Sequence, residues 1–168
     1  GSALMRRPEI ASNMIKSLKS LNFPVWVKTR KFDSDYETLK FAELLINSGA
    51  DNICIHGRTP AQRYEGIADR KIISLAAKEF PGYISASGDV KNLADIDEYL
   101  NMGCVIVMIA RGAFANPCLF EEFRGIYRTE VEKLDALTKF AYRTLEISGE
   151  HRAVVLLKRF AGSMIKFK

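Results

Sequence analysis

Four short apolar runs in this 168-residue sequence each end in groups able to hold an anion. Val25-Trp26-Val27 runs into Lys28-Thr29-Arg30, and Ile53-Cys54-Ile55 into His56-Gly57-Arg58-Thr59. Tyr83–Ala86 runs into Ser87-Gly88-Asp89, and Val105–Ala110 into Arg111-Gly112. One polar strand end is explained by its arrival at solvent. Four in succession, cationic or small, gather on one rim if the strands are parallel, and ligands of parallel α/β proteins bind at that rim. Ser87-Gly88-Asp89 and Arg111-Gly112 suit a phosphate, because glycine admits an oxyanion close to the backbone and a following helix turns its positive end toward it. Together they point to a phosphate-bearing cofactor. Lys28, at the end of an apolar strand, either faces a ligand carrying negative charge or pairs with Asp33 or Asp89. His56 either donates to a ligand or is a satisfied core histidine.

Other chemistries are excluded by what the spacing lacks. There is no H-x-H, H-E-x-x-H or carboxylate cluster, hence no metal site, and no G-x-S-x-G or G-x-G-x-x-G. Cys54, Cys104 and Cys118 are odd in number and form no C-x-x-C, which argues against a disulfide framework and for a reducing, cytoplasmic setting. Cys118 follows Asn116-Pro117 at a helix start, where a lowered pKa is conceivable; a structural role is favoured for all three.

The elements that position these residues follow from periodicity and caps. Pro8 opens a helix carrying Ile10, Met14, Leu18 and Leu21, and Asn22 ends it. Phe23–Arg30 reads as a strand. Ser34 and Glu37 form a capping box, and Gly49 stops the helix they open. Strand 52–56, a long polar connection, helix 70–79, strand 83–87, a helix from the cap Asn92 to Leu100, and strand 105–110 follow. Strand starts at this spacing require crossover helices and therefore parallel pairing, an α/β protein. Beyond Asn116-Pro117 the pattern becomes helical: Thr129-Glu130-Val131-Glu132 is a second capping box, Ser148-Gly149 a break, and a further helix starts near Glu150. The expected division is 1–121 and 122–168.

The apolar runs are far shorter than the roughly 18 residues of a membrane span. No apolar stretch follows the arginines of residues 1–9, so no signal peptide is read. Residues 1–121 hold 15 Lys and Arg against 14 Asp and Glu, whereas residues 122–168 hold 10 against 6. The basic excess at the end marks either an acidic partner or a solvated helical face.

At the strand ends the sequence resembles the tRNA-dihydrouridine synthases. The resemblance rests on Gly1–Met5 with Pro8, Val27–Arg30, His56-Gly57-Arg58-Thr59 followed by Gln62, Tyr64, Gly66, Ala68 and Asp69, then Gly88-Asp89, and Arg111-Gly112-Ala113 with Asn116, Pro117 and Phe120. It implies a (β/α)8 TIM barrel binding FMN at its rim, here about the latter half of that barrel, followed by the start of an all-α tRNA-binding domain. It further implies Lys28 at the flavin ring, His56 as a second flavin contact, and Ser87, Gly88, Asp89, Arg111 and Gly112 around the cofactor. NADPH is the implied reductant and tRNA the partner, with Arg58, Arg63, Lys158 and Arg159 as candidate RNA contacts. Ser87 stands where the family usually has Asn, so weaker flavin contact is expected there. The family's active-site Cys loop precedes the segment matching Gly1–Met5. Gly1-Ser2 is therefore expected to be native sequence, the tail to be truncated at Lys168, and the chain to be inactive alone. Half a barrel leaves strand edges unpaired, so poor stability, or pairing with the missing half or a second copy, is expected. The alternatives are an FMN-barrel oxidoreductase of a small molecule and a non-catalytic RNA-binding relic.

Overall fold

A computed structural model describes residues 2–166, the last four by backbone alone. The expectations placed on Gly1 and Lys168 lie outside the described residues. The chain divides into two compact units, one of residues 1–89 and 96–108 and one of residues 90–95 and 109–168.

The first unit opens with a 3-10 turn, Ser2–Arg6, and helix α1, Pro8–Lys19, with Pro8 in the first turn, where its missing N–H costs nothing. Strand β1 (Trp26–Arg30), helix α2 (Asp35–Asn47), strand β2 (Asn52–His56), helix α3 (Arg70–Glu79), strand β3 (Ile84–Ser87), helix α4 (Leu93–Asn101) and strand β4 (Val107–Met108) follow. Ser34 caps α2 by accepting from the Glu37 amide. Asp69 caps α3 by accepting from the Lys71 and Ile72 amides. The strands form one parallel sheet in the order β1-β2-β3-β4. Right-handed crossovers in an order that never reverses put the connecting helices on one face. A doubly wound sheet reverses its order and covers both faces. The unreversed order is therefore that of part of a β/α barrel, whose inner face is the one without helices.

Three strands are shorter than expected, β3 by one residue and β1 and β4 by more. Phe23–Val25 is not strand; Val25 is instead tied to Asp51, its amide donating to the Asp51 carboxylate at 2.7 Å and its carbonyl accepting from the Asp51 amide at 2.9 Å. β4 is reduced to two residues at the sheet edge, although the Val105 amide still donates to the Ile84 carbonyl. Both edge strands leave a large apolar side chain exposed, Trp26 on β1 and Met108 on β4.

The second unit contains α5 (Arg111–Ala115), α6 (Leu119–Glu122), α7 (Glu130–Ser148) and α8 (Glu150–Lys166). Both halves of the Thr129–Glu132 capping box are formed, and Gly149 ends α7. The Phe160 ring of α8 lies 4.8 Å from Phe114 of α5 and 4.6 Å from Phe140 of α7. That aromatic cluster packs α5 with α7 and α8 inside the second unit. Among the described residues no helix is long and apolar enough to cross a membrane.

Candidate functional site

Side chains alternate along a strand, and residues paired across a parallel sheet share a face. Lys28 lies opposite Cys54, Arg30 opposite His56, Cys54 opposite Ser85, and His56 opposite Ser87. One face therefore carries Lys28, Arg30, Cys54, His56, Ser85 and Ser87. The other carries Val27, Thr29, Ile53, Ile55, Ile84 and Ala86. That second face is the core: Ile53, Ile55, Ile84 and Ala86 are fully buried, as are Leu45 of α2 and Ile72 and Ile73 of α3. The first, the inner face, holds the polar side chains that alternation and register bring together.

His56 stands at its centre. Burial, then Arg30, Lys28 and Arg58, pushes its imidazole down to about 4, with Asp89 opposing. The ring is therefore neutral near pH 7, one nitrogen a donor and the other an acceptor. Neither nitrogen has a hydrogen-bond partner among the described residues, so His56 is not the satisfied core histidine of the sequence alternatives. Lys28 likewise has no hydrogen-bond or ion-pair partner among the described residues; neither Asp33 nor Asp89 neutralises it. Neighbouring Lys31 behaves differently, with its ammonium 2.6 Å from Asp69. Ser85 Oγ is buried without a hydrogen-bond partner among the described residues and belongs to the same inner face.

The turn after β3 rests on this histidine. Gly88 has φ +127°, and a Cβ there would come within 2.8 Å of His56 Cδ2 and of Ala68 Cβ. Only glycine lets the backbone lie against the ring. Buried Tyr99 of α4 holds the turn from behind, donating to the Gly88 carbonyl at 2.9 Å. Asp89 follows with φ +49°.

Arg58 is not a surface residue, and the expectation of an RNA contact there is corrected. Its side chain is 3% exposed and forms a bidentate pair with Asp89, at 2.9 and 2.7 Å. It also donates to the Glu65 and Gly66 carbonyls. Asp89 accepts in addition from the Ala68 amide at 2.8 Å, so its carboxylate is bound into the protein rather than presented to a ligand phosphate. Arg63 is exposed on the same loop. Its carbonyl, and that of Thr59, accept from Arg30 at 2.8 Å, and the Arg30 guanidinium lies 5.7 Å from the Tyr64 ring centroid.

Arg111, Gly112, Lys158 and Arg159 belong to the second unit. Exposed Arg111 opens α5, and a Cβ at Gly112 would meet the Val90 carbonyl at 2.1 Å, which fixes glycine there. Lys158 and Arg159 are exposed on α8. The cysteines are buried and free, and burial pushes each thiol up, Cys104 to about 11 and Cys118 with help from Glu121, away from nucleophilic use. Sequence reading named Arg30 only as part of a strand end and passed over Ser85, although period-two alternation from Lys28 and Ser87 puts both on this face.

A family model described as Dihydrouridine synthase (Dus) matches residues 1–157. A probable tRNA-dihydrouridine synthase of Rickettsia conorii is 29% identical over 96% of this chain and 53% of its own length. One of Aquifex aeolicus is 32% identical over 89% of this chain and 49% of its own. A rat tRNA-dihydrouridine(47) synthase-like protein, whose name carries NAD(P)(+), is 30% identical over 99% of this chain and 27% of its own. The chain spans about half the length, or less, of these curated relatives. With a parallel β/α sheet, a polar inner face and a family match over nearly every residue, the chain belongs to the dihydrouridine synthase family.

Proposed function

We propose that this chain forms the cofactor-bearing part of an FMN-dependent tRNA-dihydrouridine synthase, which reduces uridine in tRNA with NADPH as electron donor in the cytoplasm. The observation that carries the reading is the inner face: Lys28 and a neutral His56, both without hydrogen-bond or ion-pair partners among the described residues, beside the left-handed Gly88 turn. These residues fit the group. Lys28 offers a cation to ring atoms that gain negative charge, His56 offers a hydrogen bond without a second charge, and Ser87 adds a short donor. The buried, orphaned Ser85 oxygen belongs to the face such a group would cover. Arg111 and Gly112, the expected phosphate contacts, open α5, where Gly112 lies against the Val90 carbonyl. When bound, FMN supplies hydride chemistry to the uracil ring.

The RNA contacts in this reading are Arg63, Lys158 and Arg159, supported by the basic balance of residues 122–168. They bind backbone phosphate while the target base leaves its stack. The exposed apolar side chains of β1 and β4 favour a closing partner, either the other half of the barrel or a second copy.

The test is the absorption spectrum of the purified chain before and after addition of FMN. A bound, stoichiometric flavin is expected, weakly held because Ser87 has short reach. A chain that stays colourless and leaves FMN fluorescence unchanged contradicts the reading. Assayed alone with tRNA and NADPH, residues 1–168 are expected to form no dihydrouridine, and detectable product would overturn that part.

A further inference from the structure

The contacts of Arg58 join two segments that are far apart in sequence. From the loop after β2 it donates Nη1 and Nη2 to the two Asp89 oxygens, Nε to the Glu65 carbonyl and Nη2 to the Gly66 carbonyl. Asp89 Oδ2 in turn accepts from the Ala68 amide at 2.8 Å. One guanidinium and one carboxylate thus fasten residues 58–68 to the turn after β3. The turn is a costly one, because Asp89 has φ +49°, a region non-glycine residues seldom adopt without outside support. Gly88 and Ala68, the two groups brought together by this pair, also approach each other and the His56 ring: a Gly88 Cβ would fall 2.8 Å from both Ala68 Cβ and His56 Cδ2. The imidazole has no hydrogen bond among the described residues to fix its orientation, so packing must do it.

We propose that Arg58 and Asp89 are a positioning pair, whose bidentate bridge clamps the Gly88 turn and Ala68 onto the His56 ring and so sets the ring's orientation toward the ligand of the inner face. For the flavin as that ligand, the inference rests on the function proposed above; for the ring itself it does not. The groups that face His56 electrostatically are Lys28 and Arg30 from β1, Arg58 from the loop after β2, and Asp89 from the turn after β3. A bridge of this geometry is not replaced by charge alone, because an ammonium cannot occupy two carboxylate oxygens and two carbonyls in one plane.

The experiment uses the full 168-residue chain, with nitrogen-15 spectra of the arginine and histidine side chains and a fluorescence titration with FMN. In the wild type, Arg58 should give separate, slowly exchanging Nη signals; a single averaged signal would overturn the proposal without any variant. In R58Q and in D89N, the His56 ring signals should move and FMN affinity should fall at least tenfold. R58K should not restore either. Wild-type ring signals in a folded R58Q or D89N, or full restoration by R58K, would overturn it. If R58Q does not fold, D89N carries the comparison, and if neither folds the wild-type Arg58 signals decide. Should the wild type bind no FMN while D89N still displaces the ring signals, the positioning pair stands and the flavin reading fails.

Discussion

On the helix-covered face of the sheet, Ile53, Ile55, Ile84 and Ala86 are fully buried among apolar side chains of α2 and α3, whereas the opposite face sets Lys28, Arg30, His56 and Ser87 side by side. The same strands supply both, one residue apart. The covered face contributes stability through apolar burial and close packing, which any comparable side chains could supply. The inner face contributes little of that. Among the described residues it leaves Lys28 and His56 without hydrogen-bond or ion-pair partners, and the buried Arg58–Asp89 ion pair beside it braces loops. Groups left unsatisfied where a simpler core would be apolar mark a surface arranged for something else. The difference separates what holds this molecule together from what it is for, and substitutions should divide the same way.

The largest effect is expected on the covered face. Ile55→Ala should cost about 3 kcal/mol of stability by opening a cavity, while the folded fraction keeps its ligand affinity within about twofold. Urea unfolding with and without FMN measures both.

Next comes the pH response of the inner face. Above about pH 6.5 the His56 imidazole is neutral in the folded and the unfolded chain. Between there and about 4 only the unfolded chain takes up the proton, so stability falls as pH drops through this window, by on the order of 3 kcal/mol at most. Asp51 and Asp69, whose carboxyls their partners hold low, add their own loss only below about pH 4. Unfolding titrations at several pH values should show the fall, and His56→Gln should remove it.

Lys28→Met should do the reverse of Ile55→Ala. Stability should change by less than about 0.5 kcal/mol, because no protein partner is lost. FMN affinity should fall about tenfold, or about 1.4 kcal/mol. The smallest effect lies outside the sheet. Lys158→Gln with Arg159→Gln should leave the fold and FMN binding unchanged and lower the salt slope of tRNA binding by about two. An unchanged slope would favour the small-molecule oxidoreductase over the synthase.

The elements were legible in the sequence wherever a local signal decides them. β2 and α3 have the expected limits because a β-branched run and the Asp69 cap are local facts. The capping box of α7 is complete for the same reason. β4 was not legible: Val105–Ala110 is continuously apolar, but at a sheet edge only two residues keep the ladder. The packing of α5 with α8 was not legible either: Phe114 meets Phe160 across 46 positions, a contact that no local pattern encodes. Three of the strand ends were legible as neighbours. Lys28, His56 and Gly88 do converge, since alternation and parallel register follow from the strands themselves. The fate of Arg58 was not legible. An arginine in a polar loop reads as a surface cation, and only the approach of Asp89, 31 positions later, buries it.

The most direct measurement follows the isoleucine methyl groups and the nitrogen signals of Lys28 and His56 while FMN is added to the intact chain. The account predicts shifts at Lys28 Nζ and the His56 ring, with Ile53, Ile55 and Ile84 unmoved. Saturable shifts at those methyls, or flavin binding that leaves Lys28 and His56 unperturbed, would contradict it.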